Sequence, residues 1–349
     1  MSHIWMRAEE RANERRTPLT PGGARKLRAA GFSVTVEDTP ERCISTKEFA
    51  DRGAQIAAAG SWRTAPKDAI ILGLKELPSD GSPLTHHHIM FGHAFKGQPD
   101  GPDLLRRFRD GGGTLLDLEY LTDDDGRRLA AFGYWAGFAG AAVSLLVWSA
   151  QRGGQPCPAV SVYSSEADMV ADVRQALDGA QPSAIVIGAL GRVGSGARDM
   201  CKHVGIETTD WDMAETASGG PFPEILAHDL LLNSILAGPG CPVFVPHEAV
   251  TADRKLSVIG DIACDPGSDY NPIPIYDRAT TWDEPAIRVA ETPPLDVMAI
   301  DNLPSLLPAE SSLDFADQLL PVLMRLGDAQ DPVWSRARRL FETKSTELE

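Results

Sequence analysis

The sequence predicts an α/β fold of two doubly wound domains, and three observations predict it. The chain has 349 residues, enough for two buried cores at roughly 150 residues per domain. Short β-rich runs alternate with helical stretches along most of its length, the pattern of mainly parallel sheets covered on both faces. Near the middle, Gly188, Gly191, Gly194 and Gly196 fall between one such strand and one such helix.

Composition narrows the function classes. Hydrophobic residues make up 43% and charged residues 23%, ordinary values for a globular chain. Against 33 Lys and Arg stand 49 Asp and Glu, a formal net charge of -16 that repels phosphate backbones and anionic membranes, so no nucleic-acid or membrane partner is expected. The five cysteines lie far apart and form no CxxC pair, as in a reduced, cytoplasmic compartment. Residues 1–16 are charged and lack the apolar core of a signal peptide.

In chain order, an apolar run at 3–8 leads to a helix that starts near Pro21 and stops at Gly31, with Pro and Gly at the ends that favour them. A strand at 32–37 follows, then β-rich runs at 69–74, 89–95 and 114–118. A helix carrying Arg106, Arg107 and Arg109 separates the last two and ends at Gly111 to Gly113. Residues 129–150 carry no charge and satisfy the length rule for a membrane span. Their dilution by Ala, Gly133, Gly137 and Gly140 favours instead a helix buried between domains. A Gly/Pro-rich loop at 153–158 and a helix at 165–177 come next. The second domain then opens with a strand at 184–187, a glycine-rich turn at 188–196, a helix at 197–204 and a strand at 207–211. Further strands are predicted at 230–233, 256–259 and 297–300.

The turn after residue 187 reads in two ways. Its glycines let backbone amides approach a pyrophosphate at a helix N-terminus, or they are structural, because Leu190 holds the place of the middle glycine of GxGxxG. Asp212 favours the first reading. It ends the next strand, where a carboxylate accepts hydrogen bonds from ribose hydroxyls and repels a ribose phosphate, which predicts NAD(H) over NADP(H).

Ligands of open parallel sheets bind beyond the carboxyl ends of the strands. In the first domain those ends deliver Lys75 and Glu76, His93 and Lys96, and Glu119. The set suits proton transfer, with Glu76 and Glu119 expected to tune Lys75. Each alone could be a salt-bridged surface group. The run His86, His87 and His88 is read as a polar loop, since partners at metal-ligand spacing are not recognisable and no metal is expected. Arg16 and Arg128 are candidate carboxylate clamps, with Arg127 and Arg128 at the entry of the apolar helix, unless they are solvated surface groups.

Several strings resemble the NAD-dependent, lysine-forming saccharopine dehydrogenases, relatives of alanine dehydrogenase and of the transhydrogenase nucleotide domains. They are Arg7-Ala8-Glu9, Ala59-Gly60-Ser61-Trp62, Gly73-Leu74-Lys75-Glu76, Gly126-Arg127-Arg128-Leu129-Ala130-Ala131-Phe132-Gly133, Gly188-Ala189-Leu190-Gly191-Arg192, Gly219-Gly220-Pro221-Phe222, Asn271-Pro272-Ile273-Pro274-Ile275-Tyr276 and Leu303-Pro304-Ser305-Leu306-Leu307-Pro308. The resemblance covers nearly the whole chain. It implies two Rossmann-like domains flanking an interdomain cleft: a discontinuous substrate and catalytic domain (1–131 with 309–349) and an NAD-binding domain (132–308). The implied reaction oxidises saccharopine to lysine and 2-oxoglutarate with NAD, in a protein expected to be a monomer.

By motif match, Lys75 resembles the base for the secondary amine and His93 the acid and base for imine hydrolysis, tuned by Glu76 and Glu119. Glu14, Arg16, Lys96, Arg127, Arg128 and Phe132 match the substrate side. Gly188, Gly191, Arg192, Val193, Gly194, Asp212 and Asp301 match the cofactor side or the cleft. The chain departs from the family pattern at Val193 and Ser234, where fungal members commonly carry Cys, at Arg11, which replaces a Lys, and over 145–154. A related opine or amino-acid dehydrogenase, or an NAD-binding module without turnover, is the alternative.

Overall fold

A computed structural model of the chain describes residues 2–328 and 330–347. The chain divides into two compact units, Met1–Ala131 with Pro308–Glu349, and Phe132–Leu307.

The first unit is built on six parallel strands, β1 (His3–Met6), β2 (Ser33–Glu37), β3 (Gln55–Ala57), β4 (Ala69–Leu72), β5 (His87–Met90) and β6 (Thr114–Asp117). Their order is β3-β2-β1-β4-β5-β6, so the winding reverses between β1 and β4 and opens a crevice at the carboxyl ends of those strands. Helix α1 (Pro21–Ala29) starts where Thr20 Oγ1 accepts the Gly23 N–H at 3.0 Å and Pro21 supplies a preset first turn. A short helix, α2 (Thr46–Asp51), and α3 (Gly101–Gly111) complete this part. In α3, Leu105 and Phe108 are buried while Arg106 and Arg109 face outward, and Gly112 closes the helix at φ +74°.

The histidine run is not a polar loop. It enters β5, which pairs with β4 and β6 in register from His87 onward, while residues 91–95, expected as strand, lie beyond its end. His88 is fully buried between Trp62 and Phe108, with ring centroids 5.2 and 5.3 Å away, and neither ring nitrogen has a hydrogen-bond partner. Burial pushes its imidazole well below the usual value, and the charge of Arg7 pushes the same way. In the unfolded chain the same ring takes up a proton as pH falls through about 6.5. The unfolded state then binds more protons, so stability falls with pH below that point, by at most about 1.4 kcal/mol per pH unit from this residue. Denaturant titrations of the wild type and His88→Leu between about pH 7 and pH 5 should give a shallower acid loss in the variant. Equal slopes would contradict this account.

The second unit carries β7 (Ala184–Ile187), β8 (Thr208–Trp211), β9 (Leu230–Asn233), β10 (Val258–Asp261), β11 (Ile287–Glu291) and β12 (Pro294–Met298), in the order β11-β12-β10-β9-β7-β8. Only β11 runs antiparallel to its neighbour. Its helices are α4 (Gly133–Arg152), α5 (Glu166–Leu177), α6 (Arg192–His203) and the short α7 (Met213–Thr216) and α8 (Pro223–Leu226).

The uncharged stretch at 129–150 is not one element. Leu129 donates its N–H to Leu121 O at 2.9 Å within the first unit, and α4 starts only at Gly133. This helix is long and apolar enough to cross a membrane, but Phe138 to Ser144 are buried in the core of the second unit, against α5, α6 and the sheet. Small residues permit the contact. A Cβ on Gly137 would stand 1.8 Å from Val193 O, and one on Gly196 would stand 1.9 Å from Tyr134 O.

The chain returns to the first unit with α9 (Pro308–Leu323) and α10 (Pro332–Thr346), two helices not among the elements predicted from sequence. Trp334 of α10 donates its indole N–H to Val322 O at 3.1 Å, and Phe341 packs edge-on to Phe108 of α3.

Candidate functional site

In the first unit, β1 runs into Arg7-Ala8-Glu9, and these residues set the backbone that carries Lys75. Glu9 Oε1 accepts the Leu74 N–H at 2.7 Å and Oε2 accepts the Lys75 N–H at 3.0 Å. Arg7, fully buried, pairs with Glu9 Oε2 at 3.2 Å and donates to Lys75 O, so the peptide of Lys75 is held on both sides. Gly73 makes room for this, since a Cβ there would stand 2.4 Å from Arg7 Nε.

Glu14 is a carboxylate in the field of Lys75. Burial alone would raise its carboxyl, but the Arg16 guanidinium, with Lys75 adding to the field, brings it below the usual carboxylate range. Arg16 Nε and Nη2 donate to the two oxygens of Glu14 at 2.8 and 2.6 Å, and both side chains are buried. The Nε and Nη2 edge of Arg16 is therefore turned on Glu14. Of the two carboxylates that the sequence reading sets beside Lys75, Glu76 faces Arg11 at 3.6 Å and Glu119 holds Lys96 at 2.6 Å.

At the end of β5, His93 is exposed, takes φ +47°, and stacks its ring on Phe91 with centroids 6.3 Å apart. Phe91 in turn leans on Phe315 of α9. Lys96 lies 5.8 Å from the centre of the Tyr120 ring, and Tyr120 is pushed up to about 12 by burial and by the charges of Glu119 and Asp117. Because β4, β5 and β6 are neighbours, Lys75, His93 and Glu119 follow adjoining strand ends. Arg127 and Arg128 are exposed in the loop before α4 and do not stand at its N-terminus. Arg128 instead bridges to Thr122, and Arg127 reaches Asp125 at 3.9 Å. Phe132 precedes the first residue of α4.

In the second unit, the chain leaves β7 at Gly188, φ +81°, and turns through Gly191, whose N–H reaches back to Gly188 O at 3.0 Å. Helix α6 then starts at Arg192, five residues earlier than expected and without a side-chain cap, so its first amides face the turn. This corrects the reading of 188–196 as one turn. Gly194 lies in the helix, where a Cβ would stand 2.1 Å from Gly188 O, so it packs the helix against the turn. Asp212 caps α7 and ties the two loops: Oδ2 accepts the Leu190 N–H at 3.1 Å and Oδ1 the Met213 N–H at 2.9 Å.

A cavity of about 800 Å³ opens here, at the β7/β9 reversal of the sheet. It is lined by Gly188, Gly191 and Asp212 on one side and by the 234–242 segment after β9 on the other. A glycine turn at an uncapped helix N-terminus, with a carboxylate one strand away, fits a dinucleotide. Arg192, Val193 and Gly194 are on the first turn of α6, outside the cavity lining. Asp301 is exposed beyond β12, close enough to Cys264 to add to the burial that pushes that thiol up to about 12.

Glu9, Asp117 and the 234–242 wall carry little sequence signal of a role. Glu9 lies in the Arg7-Ala8-Glu9 string, and Asp117 ends a strand that the sequence predicts. The wall follows a recognised strand at a reversal that only the strand order reveals. Among the described residues, no three His, Cys, Asp or Glu side chains group as a metal site requires.

Residues 5–139 match the model of the alanine dehydrogenase/PNT N-terminal domain. Over nearly its whole length the chain is similar to proteins named saccharopine dehydrogenase [NAD(+), L-lysine-forming]. The one from Schizosaccharomyces pombe is 45% identical over 99% of both chains. That from Yarrowia lipolytica is 46% identical over 97% of this chain and 96% of its own. Among solved structures, an L-alanine dehydrogenase superposes with a TM-score of 0.71 at 16% identity, covering 99% of this chain and all of the other. A transhydrogenase from Sinorhizobium meliloti gives 0.62 at 17% identity, over 93% of this chain and 94% of its own. These two likenesses show the fold, a Rossmann-like α/β arrangement in each unit.

Proposed function

The chain belongs to the family of NAD(+)-dependent, L-lysine-forming saccharopine dehydrogenases, and on that premise we propose that it oxidises the carbon–nitrogen bond of saccharopine. The observation that carries this reading is the adjacency of β4, β5 and β6, which sets an amine, an imidazole and a carboxylate at neighbouring strand ends.

NAD(+), held at Gly188, Gly191 and Asp212, would supply the acceptor for the hydride of the amine-bearing carbon. Lys75 takes the proton of the secondary amine, freeing the nitrogen lone pair to form the imine. His93 deprotonates the water that adds to the imine carbon and returns a proton to the departing nitrogen. The carbon–nitrogen bond then breaks to give lysine and 2-oxoglutarate. Glu14 and Arg16 hold Lys75 in a charged frame, and Glu76 and Glu119 tune the site through Arg11 and Lys96. Arg127, Arg128 and Phe132 serve the substrate. Gly188, Gly191 and Asp212 hold the nucleotide, with Arg192, Val193, Gly194 and Asp301 supporting it. The net charge of -16 argues against nucleic-acid and membrane partners, the five spaced cysteines fit a cytoplasmic protein, and family membership favours a monomer, which size-exclusion chromatography checks.

The purified protein should produce NADH from saccharopine, and should consume NADH with lysine and 2-oxoglutarate. Consumption with pyruvate and ammonia instead would replace this reading by that of an amino-acid dehydrogenase. Asp212 sets the nucleotide. A ribose phosphate would meet its carboxylate, so NADP(+) should be used about 10²-fold less efficiently than NAD(+), and Asp212→Ser should narrow that gap about tenfold, read as kcat/KM. Equal use of both nucleotides by the wild type would remove that role.

A further inference from the structure

Asp117 has no part in the chemistry above, yet its carboxylate is 1% exposed and lies between two of the loops that carry it. It ends β6 and pairs in register with Met90, the last residue of β5. Its Oδ2 accepts the Gly92 N–H at 3.1 Å, and its Oδ1 accepts the Glu119 N–H at 2.9 Å. One buried group thus joins the amide of Gly92, the residue before His93, to the amide of Glu119, whose side chain grips Lys96. Gly92 allows the approach, because a Cβ there would stand 2.5 Å from Leu115 Cδ2 and 3.2 Å from Asp117 Oδ2.

His93 follows directly, at φ +47°. A residue with a Cβ holds such a backbone only where its surroundings impose it. A buried carboxylate is itself costly unless its oxygens are satisfied, and burial here raises the carboxyl to about 6 in spite of the two amides. Lys75 is held by other groups, Glu9 and Arg7 at the end of β1.

We propose that Asp117 is a positioning residue for His93: by tying the amides of Gly92 and Glu119 it holds the imidazole in place for the addition of water to the imine, while the proton transfer at Lys75 does not depend on it. The proposal rests on the assignment of imine hydrolysis to His93 given above.

The test is a stopped-flow measurement of saccharopine oxidation with NAD(+). Asp117→Asn keeps the volume but turns an amide NH₂ on one of the two N–H groups. A displaced catalytic group can cost up to about 10²-fold, so steady-state turnover should fall between about ten- and a hundredfold. The first turnover of NADH should form at the wild-type rate, as a burst. Deuterium at the reacting carbon should then slow the burst and leave the steady state unchanged. Gly92→Ala keeps the buried carboxylate and parts it from one amide, so it should give the same split even if Asp117→Asn fails to fold. If burst and steady state fall together, or neither falls, in the folded variants, the positioning role is overturned. His93→Gln is the control. A split there without one in the other two variants rejects Asp117 alone, and no split there rejects the assignment of His93 on which the proposal stands.

Discussion

Lys75→Met should lower kcat for saccharopine oxidation by about 10²–10⁴-fold, the range that removal of a positioned acid or base costs. The change leaves an unbranched side chain one atom shorter and takes away the proton acceptor. The peptide of Lys75 is held through its N–H by Glu9 and through its carbonyl by Arg7, so the backbone should survive the substitution. Affinity for NAD(+) should not change, because the cavity that fits the nucleotide is lined entirely by residues of the second unit. Added methylamine should restore part of the lost turnover, which a purely structural role would not allow. Wild-type turnover in this variant would take Lys75 out of the reaction.

Gly137→Val should strongly destabilise the second unit. The new Cβ would meet Val193 O at 1.8 Å, Val193 C at 2.7 Å and Ala197 N at 2.9 Å, all of them backbone atoms that no rotamer change can move. Relief requires α4 and α6 to part, and both helices bury apolar residues in the same core. Overpacking of this kind costs about 3 kcal/mol, which for a unit of this size is a fall in Tm of roughly 6–12 °C. Gly133→Ala is the comparison. Its Cβ would meet only side-chain atoms, the nearest Val193 Cγ2 at 3.3 Å, and a small shift accommodates that. Equal midpoints for the two variants would show that the helices are not in the contact described. Because α6 begins at the glycine turn, Gly137→Val should also weaken NAD(+) binding in protein that remains folded.

The strands that the sequence made legible are those with dense runs of Ile, Leu and Val, such as Ala184–Ile187 and Leu230–Asn233, where apolar content and length agree with a buried parallel strand. His87–Met90 was misplaced because a strand buried on both faces tolerates imidazoles when aromatic neighbours enclose them, and Trp62 and Phe108 come from distant parts of the chain. The start of α6 was misplaced because glycines usually argue against helix, while here Gly194 and Gly196 are required by the turn and by α4.

The site divides in the same way. Lys75, His93, Glu119 and Asp212 follow directly from strand ends, a local property of the chain. The partners around Lys75 do not: Glu14, whose carboxyl feels its charge, is 61 positions away from it, and Glu76 stands beside Arg11, 65 positions away.

By itself, then, the order of residues determined the α/β class, the strands that end in reactive groups and a glycine turn after β7, because hydrophobic periodicity and glycine placement act over a few residues. Only the tertiary structure decided which charge faces which, that Asp117 ties two loops together, and that α4 belongs to the core of one unit. Those outcomes depend on strand order and on side chains brought together from far apart along the chain, and in a buried setting the nearest oppositely charged group determines each pairing.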